Sequence, residues 1–438
     1  MKYAKYKESG IEWIGKIPEH WGLIKLGRLF DHIRTGLNPR DNFSLGQGDN
    51  FYVTIKNIKN GQVILDDLCD NIDDEALGII QSRSNLRKGD ILFPSIGVDN
   101  LSYMLKEDPL NWNINESIFA ITPNNRLIVN EYLLWLLNSS LVAEQLEVFS
   151  TGSTFRSIKQ NQLNRILVAI PNKIGEQQKI ISYLNDKTTK IDAIIKSLEE
   201  QQDKLEQYKR ELISETVTKG LDKNVPMKDS GVDWIGEIPE HWQIFPLFHL
   251  LKENKEKNAG MINSNLLSLS YGRIIKKDID TTFGLLPASF EGYQIVDKDY
   301  IILRLTDLQN DKRSLRTGIV REKGIITSAY VGLKKSPIES NSEYLHYVLH
   351  AYDLKKVFYS MGSGLRQSLN FSDIKRIPLL FPPIDEQEKI VRTLNLKQQK
   401  IDSIKKKIKL QIEELKDYRK IIIYDAVTGK KKVFGGED

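Results

Sequence analysis

A chain of 438 residues with a net charge of +5 has length for about three domains, and leans basic without demanding an anionic partner. The lone Cys69 excludes a disulfide framework and any cysteine-ligated zinc or iron centre, and it points to a reducing compartment. A charged start and the lack of any apolar run of roughly 20 residues predict a cytoplasmic protein with no membrane span.

Taken in order, the chain opens on Trp13-Ile-Gly-Lys-Ile-Pro-Glu-His-Trp21, and the same motif returns 221 residues later as Trp234-Ile-Gly-Glu-Ile-Pro-Glu-His-Trp242. Tryptophans in a Gly-Pro-punctuated loop are expected to clamp the segment entering each domain rather than to stack on bases. His20 and His241 have no second histidine or carboxylate at a metal-like spacing and are expected to be structural. From Leu23 to about Arg165, short β-prone runs such as Phe51-Tyr-Val-Thr-Ile alternate with turns, with one helical stretch near Glu131 to Leu146. Residues Gln243 to about Arg376 read likewise, with a helix near Glu343 to Phe358. Lys88 aligns with Lys298 and Glu131-Tyr-Leu with Glu343-Tyr-Leu, whereas little is shared between these anchors. Each domain closes on a junction, Gly152-Ser-Thr-Phe-Arg156 or Gly362-Ser-Gly-Leu-Arg366, then an apolar strand and a proline exit.

A long helix follows each exit. In the first, Ile191, Ile194, Leu198, Gln201, Leu205, Tyr208 and Leu212 alternate steps of three and four, a coiled-coil seam. In the second, Ile401, Ile404, Ile408, Gln411, Leu415, Tyr418 and Ile422 repeat it 210 residues on. Gly175 with Gln178, and Asp385 with Glu388, have capping-box spacing, and Gly220 and Gly429 are candidate C-caps. If the halves are related by a pseudo-two-fold axis, the helices run antiparallel and Gln201 faces Gln411 as a buried pair that fixes register. The expected fold class is therefore α+β: two mixed α/β domains separated by two long helices in an antiparallel coiled coil, with an internal pseudo-two-fold repeat. The expected segments are a repeat motif over 1–22, a domain over 23–170, a long helix over 171–222, a second motif over 223–242, a second domain over 243–381, and a long helix with a tail over 382–438.

No catalytic constellation is evident. Phe381-Pro-Pro-Ile384 resembles an amino-methyltransferase motif, but phenylalanine cannot accept from a target amine. There is no glycine-rich fingerprint after a strand and no Walker loop. Asp73-Asp74-Glu75 reads as a solvated loop or helix start, not a metal site. No metal ligands are expected.

Basic residues interleaved with small polar ones suggest nucleic acid. The second domain offers Arg304, Thr306, Asn310, Lys312, Arg313 and Arg316, where arginine suits guanine, asparagine suits adenine, and lysine suits phosphate. The competing reading is a solvated loop of ion pairs. The first domain offers Arg34, Arg40, Arg83 and Arg87. Ser153, Arg156 and Lys159, matched by Ser363 and Arg366, recur in both copies and suit a sequence-neutral grip on phosphate. The run Lys405-Lys-Lys-Ile-Lys409 is expected to face outward from the second helix.

The doubled tryptophan motif, the doubled Gly-Ser-x-x-Arg junction, the helix starts Ile174-Gly-Glu-Gln and Ile384-Asp-Glu-Gln, and the doubled Val-Thr helix end resemble the specificity subunit of a Type I restriction-modification system over essentially the whole chain. That resemblance implies a non-catalytic subunit whose two target-recognition domains read a split sequence in double-stranded DNA. It also implies that the helices set the gap, that two methyltransferase subunits dock along them and modify adenines, and that restriction/translocase subunits complete the assembly. S-adenosylmethionine, ATP and Mg would then belong to the partners. The competing readings are the specificity subunit of a related combined restriction-methylation enzyme, a self-contained DNA enzyme, and a coiled-coil scaffold with no DNA role.

Overall fold

A computed structural model of the chain describes residues 2–59, 61–96, 102–150, 157–279, 287, 289–308, 315–361 and 368–435. Two compact units emerge, Met1–Leu198 with Leu410–Asp438, and Glu199–Lys409. Among the described residues no helix is long and apolar enough to cross a membrane.

In the first unit, strand Ile118–Pro123 lies between Phe30–Thr35 and Ile91–Pro94, and Tyr103–Met104 extends the same antiparallel sheet. Ile91, Leu92 and Phe93 are all buried, so an unbroken apolar run here means a strand covered on both faces. The second unit repeats this order: Val331–Lys335 lies between Leu251–Glu253 and Ile301–Leu303, with Thr317–Ile319 beyond. The turn before the inner strand is conserved in shape as well, since Gly89 (φ 88°) and Asp299 (φ 69°) follow the aligned Lys88 and Lys298 with left-handed backbones. Outside these sheets the domains differ. The first has Asn50–Val53 between a parallel Trp112–Ile114 and an antiparallel Asp70–Ile72. The second has the hairpin Leu267–Ser270 with Arg273–Lys276. The helical stretch expected near Glu131 is two helices, Asn130–Leu137 and Ser140–Ser150. Asp73 caps the helix Asp74–Ser84 by accepting from the Ala76 N–H at 2.8 Å, so that acidic cluster is a helix start.

The long helices span Ile174–Lys219 and Ile384–Val427, and Gly220 (φ 73°) and Gly429 (φ 70°) end them. The expected capping boxes are absent, because Gly175 and Asp385 already lie inside the helices. The Glu176 and Gln177 N–H groups bond instead to the Lys173 carbonyl, and those of Glu386 and Gln387 to the Pro383 carbonyl. The helices are antiparallel within each unit. In the first, Lys179 lies over Phe434 while Asp192 pairs with Arg419 at 2.9 Å. In the second, Glu206 pairs with Lys405 at 2.6 Å and Lys209 with Asp402 at 2.8 Å. Asp192–Arg419 and Asp402–Lys209 are the same pair seen in each copy, since both members are displaced by 210 residues.

The seam differs from the expected one at every second position. Ile191, Leu198, Leu205 and Leu212 are buried or half-buried as expected, and so are Ile401, Ile408, Leu415 and Ile422. Ile194 and Tyr208 are instead exposed, as are Ile404 and Tyr418. Their places are taken by Ile195, Gln202 and Lys209 on the first helix and by Lys405, Ile412 and Arg419 on the second, a four-three alternation in place of three-four. Gln201 and Gln411 are both exposed, so they form no buried polar pair. Lys405 is half-buried on Glu206, whereas Lys406, Lys407 and Lys409 face outward.

Candidate nucleic-acid interface

The frame that presents each domain is the same. Trp21 and Trp242 are completely buried, and their indole N–H groups donate to Glu176 at 2.9 Å and Glu386 at 3.1 Å, in the first turns of the long helices. His20 and His241 meet the same carboxylates at 2.9 and 2.8 Å, which gives them the expected structural role. The next residue of each helix holds the domain. Gln177 accepts from the Val129 N–H and donates to the Leu127 and Pro171 carbonyls; Gln387 accepts from the Asn341 N–H and donates to the Pro382 carbonyl. Buried amides satisfied on both ends fix the domain's seat on its helix. The other tryptophans are less enclosed: Trp13 is exposed, and Trp234 packs edge-on against Tyr352.

In the first unit the two arginine stretches meet at one place. The Arg34 guanidinium donates to the Asn85 carbonyl at 2.9 Å, to Asp90 at 2.8 Å and to Thr122 at 2.6 Å. That corrects its assignment to DNA: Asp90 is almost fully buried and needs an opposite charge, so Arg34 is consumed internally. Arg83 and Arg87 stay at the surface, with contacts of 3.5 Å to the Thr35 hydroxyl and 3.4 Å to the Asn85 side chain. Asn85, between them in sequence, has a left-handed backbone that turns the chain out of the preceding helix. Arg40 is exposed in a left-handed turn, and Lys159 is exposed at the start of the short helix Gln160–Arg165.

In the second unit Arg316 is completely buried. It donates to the carbonyls of Arg304, Thr306 and Asp307 and to the Tyr359 hydroxyl, and its own N–H donates to Asp353 at 2.6 Å. This also corrects a DNA assignment: three bonds from the guanidinium fork tie the chain around Arg304 to Asp307 into a fixed shape. Arg304 and Thr306 are half-buried, and both spend their carbonyls on Arg316. Asn310, Lys312, Arg313, Ser153, Arg156, Ser363 and Arg366 lie outside the described residues.

Sequence reasoning passed over a cleft of about 820 Å³ in the second unit. One wall is the hairpin Leu267–Lys276, the back is the helix Ser342–Leu354, and the other wall carries Glu206, Lys209, Arg210, Asp402 and Lys405 of the long helices. Burial opposes ionisation of Glu206, but the hydrogen bond and charge of Lys405, with Lys209 and Arg210, hold its carboxyl below the usual range. At the back, burial and then the charge of Arg321 push His346 down to about 4, so it is neutral, and its Nε2 has no hydrogen-bond partner among the described residues. The alternation Leu267-Ser-Leu-Ser270 followed by Tyr-Gly is a hairpin signal that was available in the sequence.

The family described as the Type I restriction modification DNA specificity domain matches residues 18–207 and 294–414. The MjaIX type I restriction enzyme specificity subunit of Methanocaldococcus jannaschii is 25% identical over 98% of this chain and 97% of its own. The EcoDI specificity subunit of Escherichia coli is 21% identical over 76% of each chain. Among solved structures, one chain from work on complex assembly and conformational transition of the type I R-M system aligns over 94% of this chain and 98% of its own, with a TM-score of 0.67 and 15% identity. The HsdS subunit from Thermoanaerobacter tengcongensis aligns over 95% and 98%, with a TM-score of 0.50 and 15% identity. These two likenesses are likenesses of fold.

Proposed function

We propose, from the premise that this chain belongs to the Type I restriction modification DNA specificity family, that each of its two domains reads one half of a bipartite DNA target. The chain is a DNA target-recognition subunit of a restriction-modification system, working with DNA and with the system's other subunits. The observation that carries the two-reader proposal is the contrast within the repeat. Both domains hang from their helix by the same Trp, His, Glu and Gln contacts and share one sheet order, whereas the surfaces they present differ. A frame held constant around two unlike surfaces suits two readers of unlike sequence. In the first domain, the exposed Arg40, Arg83, Arg87 and Lys159 are assigned to DNA in this reading.

The finer partners follow the exposed half of the heptads. Ile194 and Tyr418 flank the Asp192–Arg419 pair, and Tyr208 and Ile404 flank Lys209–Asp402, all about half exposed. Large apolar residues fourteen positions apart on each helix, two heptads, outside the internal seam suit helices of a second protein. The proposed occupants are two methyltransferase subunits, with restriction/translocase subunits joining the assembly. S-adenosylmethionine, ATP and Mg are assigned to those partners, and this chain to recognition without catalysis.

Sequencing methylated sites in cells with and without this gene tests the proposal, with an exchange of residues 22–165 for those of a relative as the second arm. The expected result is a two-part motif that requires the gene and changes in one part only on exchange. A motif whose two parts change together would sink the one-domain, one-half-site reading.

A further inference from the structure

The proposed function leaves open which part of the second domain touches bases, and the hairpin beside the 820 Å³ cleft answers in its geometry. Strands Leu267–Ser270 and Arg273–Lys276 pair in the register Ser268 with Ile275 and Ser270 with Arg273. Tyr271 (φ 45°) and Gly272 (φ 77°) form the two-residue turn, both left-handed, as a tightly twisted hairpin requires. The inner face seats the ribbon firmly: Leu267 and Leu269 are buried with Ile274 against them, and a Cβ on Gly318 would lie 2.6 Å from Leu269. The outer face carries Ser268, Ser270, Arg273 and Ile275, with Tyr271 exposed at the tip.

Resting on the DNA-reading role above, we propose that this ribbon is the base-reading element of the second domain, with Ser270 and Arg273 set to meet base edges in the major groove. A two-stranded ribbon fits a groove about 12 Å wide. Arginine offers guanine two donors in one plane, serine meets either partner of a pair, and the Ile275 side chain suits a thymine methyl. The surroundings match a polyanion: Lys276 and Lys277 follow on the ribbon, and Lys209, Arg210 and Lys405 face it across the cleft. Asp402 holds the position that DNA would take. One of its oxygens accepts from Arg273 at 3.2 Å and the other from Lys209 at 2.8 Å. The Arg273 contact is solvent-exposed and therefore weak, and Lys209 still neutralises Asp402 once the guanidinium leaves. The ribbon is thus latched to the long helix by a bond that DNA can replace.

The test uses the complete restriction-modification complex carrying wild-type chain, Ser270→Ala, Arg273→Ala, Arg273→Lys or Asp402→Asn, read by sequencing the sites methylated in cells. Arg273→Ala and Arg273→Lys are expected to relax one base of the second half-site by about tenfold or more while the first half-site stays intact, since lysine keeps the charge but not the fork. Ser270→Ala is expected to relax the neighbouring base, and Asp402→Asn to keep the motif and bind its oligonucleotide more tightly. Ser270 and Arg273 lie on the ribbon's outer face and Asp402 on the long helix, and retention of the first half-site reports that each variant folds and assembles. Variants that methylate an unchanged motif, or an Arg273→Ala complex weakened on all sequences alike, would overturn the ribbon while leaving the two-reader function standing. A wild-type chain that confers no motif would overturn both.

Discussion

Trp21 donates its indole N–H to Glu176, 155 residues further along the chain, at 2.9 Å, and the same oxygen accepts the Tyr3 hydroxyl at 3.0 Å. Removing that carboxylate leaves a fully buried N–H without a partner, which costs more than the bond itself contributes. Glu176→Ala is expected to lower stability by about 3 kcal/mol. Glu386→Ala is expected to cost about 1 to 2 kcal/mol, because Glu386 is more exposed and serves only His241 and Trp242 among the contacts described. Urea unfolding of the two variants would decide it, and equal losses would show that the second carboxylate is as enclosed as the first.

The split between seam and stripe gives a second expectation. Ile195→Ala and Ile412→Ala empty buried positions and are expected to cost about 2 to 4 kcal/mol each. Ile194→Ser, Tyr208→Ser, Ile404→Ser and Tyr418→Ser alter exposed positions and are expected to stay within about 0.5 kcal/mol of wild type. The same exposed set, combined, is expected to abolish co-purification of the methyltransferase subunit. If the partner is retained, the stripe is not its seat.

Arg316 and Arg83 are expected to part company. Arg316→Lys keeps a charge but cannot satisfy three carbonyls and a hydroxyl, and is expected to destabilise the chain by about 3 kcal/mol. Arg83→Ala is expected to leave the melting temperature unchanged and to reduce the salt dependence of DNA binding by about one unit of slope if it meets phosphate. Thermal unfolding paired with a salt titration of binding separates the two roles, and a stable Arg316→Lys would refute the internal one.

A pH dependence follows from His346, which lines the cleft with Arg321 close by. The folded state holds the ring neutral down to about 4, against an ordinary value of 6.5, so the unfolded chain takes up a proton first as the solution is acidified. Its contribution is complete above about 6.5 and is lost as pH falls from there toward 4. At pH 5 the loss is expected to be about 2 kcal/mol. Urea unfolding at pH 7.5 and 5.0 should show His346→Gln less sensitive to acid than wild type by that amount, and parallel losses would remove His346 as the cause.

Much of this architecture is legible in the residues because it occurs twice. The tryptophan motifs, the glycine caps and the heptad period needed no partner chain to be recognised. The phase of the heptad was not legible, since Ile194 and Ile195 are equally apolar neighbours and only the opposite helix selects between them. Arg316 was misread for a related reason. It stands in a polar stretch, while its acceptors are main-chain carbonyls, which every sequence possesses and none displays. Arg34 could have been read correctly had Asp90 been known to be buried, but burial at position 90 depends on strands that pair across long separations.

The second unit is one continuous stretch, Glu199–Lys409, but the first is closed by a distant second segment, Leu410–Asp438. Tyr3 meets Phe434, the Tyr6 hydroxyl donates to the Lys430 carbonyl, and the Tyr424 hydroxyl donates to the Trp13 carbonyl. On the ribosome, the part of the first unit made first, which ends at Leu198, therefore waits for the segment from Leu410 to Asp438 to be synthesised before that segment can dock, about 10 to 50 seconds at ordinary elongation rates. The domain made second finishes earlier. A nascent chain spends that interval with the seam residues Ile191 and Ile195 uncovered, which makes the closing helix the step on which newly made protein depends to escape aggregation.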